Sequence, residues 1–300
     1  MAIKIGKQSE EGTFKLYKGI AAVNVLAVNP TKAELEKITG RTLDKEPVYR
    51  EKDDEGNDTM RITFYTRTNP EAKVNGGIDL ILPITFNLTK ARRVGQQSGK
   101  IQIIDKYGRT AWASPSEIEA KAVPQYSKGP ANISADYRPA VVGEEYLINF
   151  LIKWLNIPGP ANYKDGQWIM KDNPEDSEVS VNLTKIFAGD VSELIEVVSM
   201  AREYLVKVAV GIKTNEDGKQ FHAVFTRDFA KNAVTDYSKL DAAIMEFKNA
   251  GGAPSTEFDC TPLHENVVES TKFAASNTEV VGDMPDFTNA QNPWAQFGQQ

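Results

Sequence analysis

MRITFYTRT (60–68) and IDLILPITFNL (78–88), separated by Asn75-Gly76-Gly77, are the stretch on which the fold turns. In the first segment Ile62, Phe64 and Thr66 alternate with Arg61, Thr63, Tyr65 and Arg67. A period of two belongs to a strand, with the first set facing a core and the second facing outward. The glycines punctuate. The second segment reads as another strand, and its Pro83, which has no amide to donate, points to an edge or a bulge. Upstream, FKLYKGIAAVNVLAVN (14–29) is β-rich and stops at Pro30. Thr31 then opens a short helix, KAELEKI, with Glu34 at the capping-box position and Gly40 as its stop. The acidic stretch around Asp54, Gly56 and Asn57 reads as a loop. Downstream, KIQIIDKYGRTAWA (100–113) reads as a hairpin turning near Lys106-Tyr107-Gly108-Arg109.

Beyond the hairpin the pattern changes. SPSEIEAKA starts helically, and prolines and glycines follow. GEEYLINFLIKWLNI (143–157) is the strongest helix, with Leu147, Phe150, Leu151, Trp154 and Leu155 in one stripe before Pro158. The next segment, with Asp165-Gly166, Asn173 and Pro174, reads as a polar loop. DVSELIEVVSMARE (190–203) reads as a helix capped by Asp190 or Ser192. YLVKVAVGIK (204–213) is a strand with Tyr204, Val206, Val208, Val210 and Ile212 on one face, returning through Asn215-Glu216-Asp217-Gly218 as KQFHAVFTRDF. DYSKLDAAIMEFKNAGG (236–252) is a further helix. The expected fold is α+β: an OB-like small β-barrel or a strongly twisted antiparallel sheet with inserted helices. Residues 1–270 form one domain, with the helical insertions at about 114–203, and residues 271–300 a disordered tail.

Composition narrows the functions. With 35 Lys and Arg against 41 Asp and Glu, the 300-residue chain carries a formal charge of −6. One Cys and two His exclude a disulfide framework and the four-ligand zinc modules. No run of about 18 apolar residues suggests a membrane span, and the N-terminus lacks the apolar core of a secretory signal. The expected location is the cytoplasm, with no membrane partner. Charge is segregated. Residues 85–128 hold eight cations (Lys90, Arg92, Arg93, Lys100, Lys106, Arg109, Lys121, Lys128) against Asp105, Glu117 and Glu119, whereas residues 44–58 hold seven acids and three bases.

The catalytic templates are empty. GQQSGKI (95–101) is one residue short of a phosphate loop and has Ile101 where Ser or Thr would hold Mg²⁺. Cys260 and His264 are interrupted by Pro262, so a buried thiol and a surface imidazole are the simpler reading, and His222 in its strand reads as structural. The expectation is a non-enzymatic protein with no cofactor and no metal.

What stands out is cations interleaved with aromatics. Lys and Arg release counterions from phosphates, and Tyr, Trp and Phe stack bases for about 1–3 kcal/mol each. The candidate nucleic-acid-binding residues are Arg61, Tyr65 and Arg67 on one strand, the loop cations Lys90, Arg92 and Arg93, and Lys100, Lys106, Tyr107, Arg109 and Trp112 around the hairpin tip. Trp112 reads as a stacking ring or, alternatively, as core. The C-terminal tail, with Asp283, Asp286, Phe287, Trp294 and Phe297, can mimic a polyanion in the groove, dock a ring into a partner, or be an unselected polar tail.

The segments GKIQIIDKYGRTAWA (99–113), YRPAVVGEEYLINFLIKWLNIP (137–158) and FKLYKGIAAVNVLAVNPTKAELEKITGR (14–41) resemble the single-stranded DNA-binding proteins of large tailed bacteriophages, crAss-like phages in particular. The resemblance covers most of residues 12–260. It implies an OB-related protein of phage DNA replication and recombination in the host cell cytoplasm. Such a protein coats displaced single-stranded DNA and contacts replisome proteins through its C-terminus. In this class the acidic tail often ends in an aromatic. Here Gly298-Gln299-Gln300 follow the last ring with no terminal acid, which weakens the docking role. The alternative is a structural or packaged virion protein without nucleic-acid chemistry.

Overall fold

The computed structural model describes residues 3–4, 15–52, 56–90, 99–105, 109–122, 133–134, 136–157, 161–164, 167–171, 178–214, 218, 220–224, 263–265 and 267–269. The expected helix at 236–252 and the tail at 271–300 lie outside them.

The fold is mixed α+β, built mostly of antiparallel sheets. Its centre is a seven-stranded sheet. The long strands are β1 (Gly19–Val28), β2 (Asp58–Thr68) and β3 (Ile81–Lys90), joined later in the chain by Leu205–Thr214 and Gln220–Val224. Alternation builds the inner face: Met60, Ile62 and Phe64 of β2 pair across with Leu88, Phe86 and Ile84 of β3, and all six are buried. Tyr65 pairs with Pro83, and in that part of β3 only β2 is a hydrogen-bonded neighbour among the described residues, so the imide breaks no ladder. The register of β1 against β2 slips between Val25 and Ala27, a bulge at Leu26 that bends the sheet.

The capping signals of the first helix act as the sequence suggests, whereas the helix expected at 190–203 is capped by neither Asp190 nor Ser192: its N-cap is Val191, which makes no side-chain cap bond. In α1 (Lys32–Thr39) the Thr31 side chain accepts from the Glu34 amide, Glu34 accepts from the Thr31 amide, and Gly40 ends the helix at φ 69°. The hairpin forms as β4 (Ile101–Asp105) and β5 (Thr110–Ala113), followed by α2 (Pro115–Glu119). It belongs to a separate three-stranded sheet completed by β6 (Tyr137–Pro139). That sheet has its own small core of Ile103, Ala111, Ala113 and Ile133.

Helix α3 (Glu144–Trp154) lies against the inner face of the large sheet. Phe150 is 5.0 Å from Phe64 and 5.3 Å from Phe86, ring centre to ring centre, and Trp154 is 6.0 Å from Phe64. The region after α3 is not the polar loop expected. It forms β7 (Asn162–Lys164), β8 (Gln167–Lys171) and β9 (Glu178–Asn182), a second three-stranded sheet, then α4 (Leu183–Ala188) and α5 (Ser192–Met200). The insertion is thus as much strand as helix. A cluster ties its parts together. Arg138 of β6 binds Glu144 at 2.7 Å and lies 3.7 Å over the Tyr163 ring, while Trp168 Nε1 donates to Glu144 at 3.3 Å. Burial raises the Glu144 pKa, and the Arg138 guanidinium opposes that rise.

The chain returns as β10 (Leu205–Thr214) and β11 (Gln220–Val224). With the short strand Val141–Val142 on the outer edge of β3 and Arg50–Lys52 beside the start of β2, the order along the sheet is β3-β2-β1-β10-β11, every neighbouring pair antiparallel. It follows that β3 and β11 run in the same direction. The sheet curls until β11 lies alongside β3. No ladder joins the two among the described residues, so there is no closed barrel.

Candidate nucleic-acid interface

The outer face of β2 and β3 carries Arg61 opposite Asn87, Thr63 opposite Thr85, Tyr65 opposite Pro83 and Arg67 opposite Ile81. Arg61 and Arg67 therefore share a face, as the alternation suggests. Tyr65 corrects the expectation. It is only 2 % exposed. Its hydroxyl hydrogen-bonds to that of Tyr49, which donates to the Pro30 carbonyl at 2.9 Å. Burial pushes the Tyr65 phenol up to about 12 and that of Tyr49 further still. The ring cannot stack on a base; it locks the segment before β2 onto the sheet. The Arg61 amide donates to the Tyr49 carbonyl at 2.6 Å and fixes the same segment.

Each of the candidate cations described on the large sheet, Arg61, Arg67 and Lys90, has an acid beside it. Arg67 is chelated by Asp79, Nε to Oδ1 at 2.6 Å and Nη2 to Oδ2 at 2.5 Å. Arg61 reaches Glu51 at 3.2 Å. Lys90 falls by alternation on the Phe86 and Leu88 side of β3, the opposite face from Arg61 and Arg67. There it binds Asp58 at 2.9 Å and lies 5.3 Å over the Phe187 ring.

The remaining candidates belong to the small sheet. Arg109 is tied to the buried Asp105 at 2.7 Å, and that carboxylate also accepts the amides of Arg109 and Ser134, each at 3.0 Å. Trp112 pairs with Gln102 on the face away from Ile103 and Ala111. It is half-buried and outside the small core. Lys100 falls on the same face by alternation. Arg92, Arg93, Lys106 and Tyr107, with the tail residues Asp283, Asp286, Phe287, Trp294 and Phe297, lie outside the described residues. The structure thus makes two groupings, Arg61 with Arg67 and Lys100 with Trp112. The described cations do not line one channel.

Sequence reading missed an open cleft of about 610 Å³ where β1, β2 and the start of β10 meet. Arg67 and Arg202 line it. Only the chain fold brings them together, so no local signal could have found the pair.

His222 is structural, as read. Its Nε2 accepts the Tyr17 amide at 3.0 Å, and burial holds its pKa at about 4. In the unfolded chain a histidine titrates near 6.5, so between these values the unfolded state binds the extra proton. Stability should be intact above about pH 6.5 and decline by roughly 2–3 kcal/mol as pH falls to about 4. Urea midpoints at pH 7.5, 5.5 and 4.5 check this, and His222→Gln should remove that part of the slope. His264 bonds the Val74 carbonyl at 3.0 Å, while Cys260 lies outside the described residues. Among the described residues no three His, Cys, Asp or Glu side chains gather as a metal site, and no helix is long and apolar enough to cross a membrane.

No protein-family model matches the chain, and neither a curated protein nor a solved structure does.

Proposed function

We propose that the chain is a sequence-tolerant single-stranded DNA-binding protein built on an OB-type sheet, of the kind that protects displaced strands in tailed-phage replication and recombination. The observation that carries the reading is connectivity. Three consecutive antiparallel strands, β1, β2 and β3, are followed by a helix on the inner face and then by β10 and β11. The order is β3-β2-β1-β10-β11, with the last strand curling back parallel to the third. An OB sheet has this arrangement, and it binds oligonucleotides on its second and third strands and the adjoining loops. Here that surface is the outer face of β2 and β3, which carries Arg61, Arg67 and the exposed Asn87.

The paired acids shape the energetics. A phosphate that displaces Asp79 or Glu51 must compete with a carboxylate already in place, so each arginine contributes less than a free one. Affinity then depends on several contacts together, and selectivity for an unpaired strand comes from base contacts that a duplex hides. Trp112, with Lys100 beside it, is the ring available for such a contact in the small sheet. Replisome proteins are the proposed partners of the C-terminal tail.

Fluorescence titration with oligo-dT tests the reading. Affinity should fall about tenfold or more between about 50 and 200 mM salt, and duplex of the same length should bind more weakly. Trp112→Ala should weaken binding by roughly 1–3 kcal/mol while the protein stays folded at the assay temperature. Equal affinity for duplex and single strand, or no salt dependence, overturns the proposal and leaves the virion-protein alternative.

A further inference from the structure

We propose that the cleft between the end of β2 and the start of β10 is a subsite for one nucleotide of a bound strand, with its phosphodiester between Arg67 and Arg202 and its base on an apolar wall. The inference rests on the single-strand reading above and extends it to a surface away from the middle of β2 and β3. The cleft, about 610 Å³, falls in the range of small-molecule sites, about 300–1,000 Å³. Leu26, Pro70 and Leu205 supply the wall. Leu26 reaches it because it is the extra residue of the bulge, outside the regular alternation of β1.

The geometry around Arg202 is built rather than loose. Asn24 Nδ2 donates to the Arg202 carbonyl at 3.1 Å, and Asn69 Nδ2 donates to Asn24 Oδ1 at 3.0 Å. The Glu71 amide in turn donates to Asn69 Oδ1 at 2.8 Å. These bonds pin the turn before β10 to the sheet and hold Arg202 in the same cleft as Arg67. Arg202 is exposed, and its side chain makes no hydrogen bond or ion pair among the described residues. Arg67 has committed Nε and Nη2 to Asp79, which leaves Nη1 for a ligand.

Charge selects the ligand. Glu71 and Glu203 also line the cleft, and with Asp79 on Arg67 the acids outnumber the two arginines by one. A cleft with that balance has no long-range pull on a free anion such as inorganic phosphate. It suits a phosphodiester with a single charge whose attached base adds apolar contact. The two glutamates then oppose binding, and removing one should strengthen it.

Oligo-dT titration of the full chain at low salt tests this with Arg202→Ala, Arg202→Glu and Glu203→Gln. Arg202→Ala should weaken binding about three- to tenfold and lower the salt slope by about 1. Arg202→Glu should weaken it further, and Glu203→Gln should tighten it. Both positions are exposed, so melting temperatures should stay at the wild-type value and separate a binding effect from unfolding. Wild-type protein that binds oligo-dT while all three variants stay within twofold of it overturns the cleft and leaves the β2–β3 face standing. Wild-type protein that does not bind overturns both.

Discussion

Trp154→Ala should lose about 3–5 kcal/mol of stability, seen as a lower urea midpoint at unchanged m-value. Trp154 is fully buried, 6.0 Å from Phe64 and 5.9 Å from Phe150, where α3 meets the inner face of the curled sheet. Deleting the ring removes its transfer energy and opens a cavity among strands that cannot collapse inward, because their ladders hold them. Trp154→Phe separates two contributions. The indole Nε1 has no hydrogen-bond partner among the described residues, and an orphaned buried donor costs about 1–3 kcal/mol. Phenylalanine keeps part of the ring and deletes that donor, so its loss should be far smaller than alanine's. An alanine variant within about 1 kcal/mol of wild type would mean that α3 does not plug the sheet.

The alternation in β2 and β10 and the stripe on α3 were legible because burial against one core writes a period into the sequence. Tyr65 was not, for a physical reason. Alternation separates the two faces of a strand but is silent on whether the second face is covered. The cover, Tyr49, comes from the segment between β1 and β2 and closes over Tyr65 through a hydroxyl–hydroxyl bond. Both tyrosines keep a polar tip satisfied, so neither looks different in sequence from an exposed ring.

The cations failed in a related way. Counting charge by segment set a basic middle against an acidic loop, as if the two were separate surfaces. Folding undoes that separation. The ladder between Arg50–Lys52 and the start of β2 brings Glu51 to Arg61, and the last turn of β3 brings Lys90 to Asp58, so charges counted apart become neighbours. The strands β7 to β9 were hidden for a third reason. Asp165-Gly166, Asn173 and Pro174 are strong loop residues, and they outweighed the short runs between them. Trp168 and Tyr163 were the available signal, since they pack edge to face at 5.4 Å around Arg138.

Asn75→Asp should cost about 3–5 kcal/mol at neutral pH, although the two side chains have nearly the same shape. Asn75 is fully buried beside Ala22, the fourth residue of β1. Its Oδ1 accepts the Ala22 amide at 2.9 Å, and its Nδ2 donates to the carbonyls of Ala22 and Asn69, each at 2.7 Å. One side chain thus does for β1 what a neighbouring strand would do, and it needs both halves of the amide. A carboxylate only accepts. It would turn negative oxygen toward two carbonyls in a site without solvent, where neither repulsion nor desolvation is relieved. The pH dependence carries the sign. Burial would raise the folded-state pKa of the new carboxyl above the unfolded value of about 3.9, so the penalty is full above the raised pKa and shrinks as pH falls through it, because the protonated acid can donate to one carbonyl. Asn75→Ala has no such titration, and its cost relative to wild type should stay level with pH. Urea unfolding of the three proteins at matched pH values between 7.5 and 5 decides the matter. If the aspartate and alanine variants lose stability in parallel across that range, the amide at position 75 is a space filler and not a surrogate strand.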